Sequence, residues 1–435
     1  MKKLMLMAVM VLSLCAGCNN GKTVTIKIKG NVYSLVDKSA IKGAIVCAVN
    51  KADGTVSDMA VTGDNGSYTV EVTAEREGGN KPINEAWGLN ASADKFMSVP
   101  SFIRPSIAVT IADFIPEDNN YTYSDALTDI GLAAINGTGE LFTVSGRLGG
   151  EDAGAMVVLE GCSAPPCPYG YTAKRGDFTI FNVSQKTYSA AAYKKDVSYE
   201  TLSIDISSDT QNVVLKKKLG NVTGTVSGSV NIVNPGQGDA TSIVLVPESL
   251  FHETLKKGIL VPGLRAPESG DPNIKGAYTI TGVPEGSYVV LAAFENDYLV
   301  RDPDPNIAGT QIVHVTMPDA GSYDKSIDAF KVTGSLDIVF PGAGDAPDAL
   351  SNLSEVVFVD DSSEDQYMLV LYNMYGDTIW EKTIPGQSGG ANVTVPYDGP
   401  ALENGVYYQW NVTSFHNGGP ISTSEDLKGI FYVTE

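Results

Sequence analysis

The run Val226-Ser-Gly-Ser-Val-Asn-Ile-Val-Asn-Pro235-Gly-Gln-Gly-Asp239-Ala240 is echoed by Val332-Thr-Gly-Ser-Leu-Asp-Ile-Val-Phe-Pro341-Gly-Ala-Gly-Asp345-Ala346. In both, an apolar-alternating stretch ends at a proline-glycine turn. Self-similarity about one domain length apart marks a chain of tandem units, each with its own core. A weaker form of the opening, a β-rich run leading into glycine, occurs at Ile26-Lys-Ile-Lys-Gly30-Asn-Val32 and at Phe142-Thr-Val-Ser-Gly146-Arg-Leu148. Four openings in 435 residues divide the chain into units at 23–139, 140–219, 220–330 and 331–435. Each is close to the roughly 100 residues that one β-sandwich takes. Val24, Ile26 and Ile28 alternate with Thr25, Lys27 and Lys29, the period of a strand with one buried face. The best helical candidate, Pro247 to Lys257, is too short to be more than a decoration on a β scaffold. The expected fold class is therefore all-β, a tandem array of sandwiches, and 45 Gly, 22 Pro and 20 Tyr suit its many turns and aromatic strands.

A second marker follows the opening in the first three units: Thr62-Gly-Asp64-Asn-Gly66-Ser-Tyr68-Thr-Val70, Lys174-Arg-Gly176-Asp-Phe178-Thr-Ile180 and Lys275-Gly276-Ala-Tyr278-Thr-Ile280. Glycine makes a tight turn, and the aromatic two residues later starts the next strand facing the core. The third unit continues with Val283-Pro284-Glu-Gly286-Ser-Tyr288-Val-Val290, the second with Val183-Ser-Gln-Lys-Thr-Tyr188. Gly43-Ala44-Ile45-Val46 and Gly154-Ala155-Met156-Val157 supply a further strand signal. In this order the motifs resemble the carboxypeptidase regulatory-like domain, a transthyretin-like β-sandwich, over roughly residues 23–330. The first unit departs from the pattern after Val70, where a longer tail with Trp87 replaces the second turn. The last unit, with Val370-Leu-Tyr372, Gly376, Ile379-Trp380, Gly405-Val-Tyr407-Tyr-Gln-Trp410 and Gly429-Ile-Phe431-Tyr-Val433, resembles fibronectin type III or Ig-like modules. Its tryptophans read as core anchors.

The N-terminus carries an address. Met1-Lys2-Lys3 is basic, Leu4 to Ala16 is apolar and too short for the roughly 20 residues that span a bilayer, and the run ends in Leu14-Cys15-Ala16-Gly17-Cys18. This resembles the bacterial lipoprotein signal, with Cys15 where the family usually has leucine. The resemblance implies a signal peptide at 1–17, lipidation of Cys18, a tether at 18–22 and attachment to membrane through the lipid. Asn19 after the cysteine implies the outer membrane under enteric-type sorting. In an oxidising envelope compartment, Cys162 and Cys167, bracketing Ser163-Ala164-Pro165-Pro166, read as a local disulfide. A metal knuckle would want two more ligands nearby, and the nearest histidine in sequence is His252. Cys47, inside an apolar run, reads as a small buried strand residue.

With 51 acidic against 30 basic residues, a net charge of -21 repels phosphate backbones and argues against a nucleic-acid partner. The three histidines, His252, His314 and His416, are not followed three residues on by glutamate, so the zinc domain that often accompanies a regulatory-like module is not spelled here. The loop Glu295-Asn-Asp297-Tyr-Leu-Val-Arg301-Asp302-Pro-Asp304 has two readings: calcium held by Asp297, Asp302 and Asp304, or a solvated, proline-stiffened loop. No other cofactor is expected. The whole reads as a non-enzymatic, lipid-anchored rod of four β-sandwiches in a bacterial envelope, a surface binding, adhesion or structural module with a protein or glycan ligand. The alternative is a periplasm-facing accessory lipoprotein that binds glycan or scaffolds an export or assembly complex.

Overall fold

The computed structural model describes residues 23–434, apart from 51–53, 78–80, 83–85, 105, 111–115, 118–119, 125–127, 136, 138, 151, 234–240, 254–256, 269–272, 295–311, 318–322, 334, 345–346, 361–363, 375, 388–390 and 425–427. Strand follows strand throughout, as an all-β chain requires. Among the described residues, pairing stays within four stretches, 23–134, 141–217, 224–333 and 336–433.

The first three stretches share one topology. The opening strands Thr23–Ser34, Leu141–Leu148 and Gly224–Val233 pair antiparallel with Ser67–Glu77, Asp177–Ser184 and Ala277–Val283. On its other side each opening strand pairs parallel with strands that close the unit. A second sheet faces the first, centred on Ile45–Asn50, Met156–Glu160 and Thr241–Pro247. The repeated motifs have a physical cause in this register. Gly30 lies opposite Tyr68, Gly146 opposite Phe178 and Gly228 opposite Tyr278. A Cβ on Gly228 would stand 2.6 Å from the Tyr278 hydroxyl, and one on Gly30 2.4 Å from the Thr128 carbonyl, so the close approach needs glycine. The three aromatics are buried at 3–4% exposure, each removing about 2–3 kcal/mol worth of apolar surface from water. Thr62 and Thr172 repeat a second device, each hydroxyl accepting from the backbone N–H of Ala44 or Ala155.

The fourth stretch is built differently. A sheet of Ile338–Phe340, Glu355–Val359 and Asn392–Pro396 faces a larger one containing Asp348–Leu350, Ile430–Val433, Tyr407–His416, Gln366–Asn373 and Thr378–Pro385. Trp410 is fully buried and its indole donates to the Pro341 carbonyl at 3.0 Å. Both tryptophans of this unit are core anchors, Trp380 at 8% exposure.

Three expectations need correction. Val332 does not open the fourth unit as Val226 opens the third. Phe330–Thr333 pairs with Val230–Val233 and closes the third sandwich, and the echo is cut in two, with Ile338–Phe340 starting the fourth. The described residues of Pro247 to Lys257 form no α-helix. A 3-10 turn at Glu248–Leu250 precedes Phe251–His252, which pairs antiparallel with Lys257–Gly258; Leu250, Phe251 and Lys257 are all buried, and Lys257 reaches Gln409 of the fourth unit. Nor do the units form an extended rod. The first and second have inner cores of their own, but one apolar cluster runs through all four, from Leu35, Phe102 and Ile103 through Met156 and Val158 to Ile243–Val246 and Tyr407.

That shared core explains the strands buried on both faces. Met156–Leu159 and the whole of Thr241–Pro247 are buried without alternation, because one face packs inside the sandwich and the other packs against a neighbour. The segment 248–264 touches every other unit. The Ser249 carbonyl accepts from the Cys167 N–H at 2.9 Å, the His252 ring meets Phe102 edge-on at 5.1 Å, and Lys257 Nζ donates to Gln409 Oε1 at 2.5 Å.

Candidate functional site

The fourth sandwich has unequal sheets, and on one flank its smaller sheet ends at Asn392–Pro396 while the larger ends at Thr378–Pro385. Between these two edge strands lies a cleft of about 390 Å³, lined by Lys382, Ile384, Gln387, Asp360, Val393 and Val395 among others. Alternation positions its walls. On Asn392–Pro396 the valines at 393 and 395 point into the sandwich and Thr394 is exposed; on Thr378–Pro385, Trp380 is buried and Glu381 exposed.

The polar groups of the cleft are held in place by defined bonds. Lys382 Nζ donates to Asp398 Oδ2 at 2.7 Å and to the Pro396 carbonyl at 3.2 Å, and lies 5.9 Å from the centre of the Trp380 ring. The Trp380 indole donates to Asp398 Oδ1 at 2.8 Å, and the Tyr397 ring packs edge-on at 5.2 Å. Hydrogen bonds from Lys382 and then Trp380 hold the Asp398 carboxyl below its usual range. Burial pushes the Tyr397 phenol up to about 12. Asp360 accepts from the Tyr367 hydroxyl at 2.7 Å. Prolines at 385 and 396 and a lysine on the flank are devices that keep sheet edges from pairing indiscriminately. The cleft offers a mixed apolar and hydrogen-bonding surface, with the Lys382 charge paired to Asp398.

The connection Gly386-Gln387-Ser388-Gly389-Gly390 carries the G-x-S-x-G spacing of a hydrolase nucleophile turn, against the expectation that the sequence holds no such string. It joins two strands of a sandwich, whereas that turn runs from a strand into a helix. Ser388 lies outside the described residues.

The sites expected from sequence fall as follows. Cys162 and Cys167 are joined in a disulfide, with Cα atoms 5.3 Å apart. Cys18 and the calcium candidates Asp297, Asp302 and Asp304 lie outside the described residues, as do the signal and tether. Cys47 is a free, buried thiol on Ile45–Asn50, and burial pushes it up to about 12. His252, His314 and His416 sit on three separate strands. Among the described residues no group of three or more His, Cys, Asp or Glu is placed to hold a metal, and no helix is long and apolar enough to cross a membrane.

What sequence reasoning missed is the joints between units. Also unforeseen, inside the second unit, is an ion network around Asp152, which receives Lys217 at 2.8 Å and the Tyr199 hydroxyl. Burial alone would raise this carboxyl; the hydrogen bonds from Lys217 and Tyr199 more than reverse it, so it sits below its usual range. The uninterrupted apolar runs at 156–159 and 243–246 were the available signal for the joints, since a strand with one wet face would alternate.

No protein-family profile matches the chain, and no curated protein sequence does. Among solved structures the chain is similar to the TIE protein of Bacillus anthracis, at 11% identity over 99% of this chain and 76% of that one, TM-score 0.17. It is also similar to BcpA, the major pilin subunit of Bacillus cereus, at 10% over 72% and 100%, TM-score 0.16. A third is a DUF3823 family protein from Parabacteroides merdae, at 14% over 48% and 98%, TM-score 0.20. Likeness at that level transfers neither arrangement nor activity.

Proposed function

We propose that this chain is a non-enzymatic binding or structural module of a bacterial envelope, anchored by lipid at Cys18 and exposed on the outer membrane. The observation that carries the reading is the shared core: four sandwiches packed on one apolar cluster form a preformed platform that holds the fourth-unit cleft in a fixed place. A rigid platform loses little conformational freedom when it binds, which suits adhesion or scaffolding. The first three units are read as carboxypeptidase regulatory-like domains, supported by the glycine-aromatic register they share, and the fourth as an Ig-like or fibronectin type III module. The ligand is a protein or glycan that meets the mixed surface of Lys382, Gln387, Ile384 and Thr394.

Protease shaving of intact cells tests the placement. With the native chain, the full-length band is lost without breaking the envelope; with Cys18→Ser, the protein leaves the membrane fraction. Protection until the envelope is broken would overturn surface exposure and favour the periplasm-facing accessory role.

A further inference from the structure

Arg104 is 7% exposed, and its Nε makes no hydrogen bond among the described residues. No ion pair among the described residues includes it. Its guanidinium instead lies over the Tyr407 ring, 5.1 Å from the centre. A cation taken this far out of water without a counter-charge is costly, and a cation–π contact returns only part of that cost.

The surroundings point to what completes it. Arg104 comes from the first sandwich and Tyr407 from the fourth, so the guanidinium sits in the joint between them. Tyr432 packs edge-on to Tyr407 at 5.4 Å. On the outer lip Lys38 Nζ lies 5.0 Å from the Tyr33 ring centre and 5.5 Å from that of Tyr432. Burial first, then the neighbouring tyrosines, push the Tyr33 phenol up to about 12, so it remains a hydrogen-bond donor at neutral pH. The Tyr407 hydroxyl is turned toward the Gly131 carbonyl at 3.4 Å. Asp129, the carboxylate that acts on Tyr33, is engaged by the backbone N–H and side-chain amide of Asn31 at 2.7 and 3.1 Å.

We propose that Arg104, with Lys38 and the phenols of Tyr33 and Tyr432, forms a carboxylate-binding site in the joint between the first and fourth sandwiches. The planar fork of a guanidinium matches the two oxygens of a carboxylate, and phenol and ammonium groups supply the remaining donors. Because the donors come from two sandwiches, an anion bound there favours the closed joint by mass action. The site is independent of the cleft on the fourth unit. The chain's net charge of -21 works against any anion, so binding is weak, with Kd on the order of millimolar.

The test is thermal melting of the full chain in sodium acetate, sodium glucuronate and sodium phosphate against sodium chloride at equal ionic strength. One further pair of probes is a short peptide with a free and with an amidated C-terminus. The expected result is a saturable rise in Tm with carboxylates over chloride, weakened about tenfold or more in apparent affinity by Arg104→Met. A smaller loss is expected from Lys38→Met, which changes an exposed side chain and leaves the fold intact. A response to the free but not the amidated peptide, with none to acetate or glucuronate, assigns the carboxylate to a peptide; the reverse assigns it to small acids. Equal shifts in the native chain and both variants, no shift with any carboxylate, or a stronger response to phosphate would overturn the proposal.

Discussion

The joint between the second and third sandwiches and the joint between the first and fourth are made of different materials. The former is sewn by backbone: the Cys167 N–H donates to the Ser249 carbonyl at 2.9 Å and the Asp196 N–H to the Gly282 carbonyl at 2.7 Å. Gly282 has φ +70°, and a Cβ there would stand 2.1 Å from Asp196 Oδ1, so this seam requires glycine. Around it Lys218 meets Glu285, Lys195 meets Glu268 at 2.5 Å, and the rings of Tyr193 and Tyr288 pack at 5.8 Å. The latter joint is cationic and aromatic, with one long hydrogen bond among the described residues, Tyr407 to Gly131. Backbone bonds and buried aromatics fix a geometry; cations stacked on rings tolerate sliding and exchange. The middle joint is held by backbone hydrogen bonds and ion pairs, the joint between the outer units by ring and cation contacts.

The largest expected effect lies in the middle joint. Tyr288 is fully buried, and Tyr288→Ala should cost about 3–5 kcal/mol in urea unfolding, a loss felt by the second and third sandwiches together. Separate transitions with only the third displaced would break the contrast. Next, replacing both Cys162 and Cys167 by serine frees the loop that carries the Cys167 N–H to Ser249, and a loop this short makes the bond worth about 2 kcal/mol. Denaturation with and without reductant measures it.

Smaller effects come from pH, and they separate the interior of the second unit from the joint between the first and fourth by direction. Asp152, held below its usual range, contributes stability that is present at neutral pH and is lost as pH falls below about 4. An Asp152→Asn variant should flatten the acid limb of a stability profile. Tyr33, raised to about 12, contributes stability that is full below about pH 10 and is lost as pH rises from there through 12. Tyr33→Phe should flatten the alkaline limb and leave the acid limb alone. The smallest change is Tyr407→Phe, which removes a 3.4 Å hydrogen bond and should cost less than about 1 kcal/mol. A loss as large as that of Tyr288→Ala would make the two joints equivalent.

Much of the local fold was legible. Alternation at Val24, Ile26 and Ile28 is the observed burial pattern of the opening strand, and the glycine-aromatic markers at Gly66-Ser-Tyr68 and Gly176-Asp-Phe178 start strands whose rings are buried. Segment 248–264 was not legible, because the residues it touches lie in three other units. The second half of the echo misled for a related reason: the same residues can complete one sandwich or begin another, and strand propensity is blind to which sheet offers a free edge. The fourth-unit cleft left no sequence mark, since it arises from two sheets ending at different widths.

The sequence by itself determined that this chain is β throughout, where its opening strands lie, and why glycine faces an aromatic in three successive units, because those features depend on a two-residue period and on contacts between adjacent strands. The tertiary structure alone decided that Lys257 would reach Gln409, 152 residues away, and that Arg104 would lie on Tyr407. Such pairs have no local period: they exist only after whole sandwiches have docked, and docking is chosen by the shape and apolar area of complete faces rather than by any short run of residues.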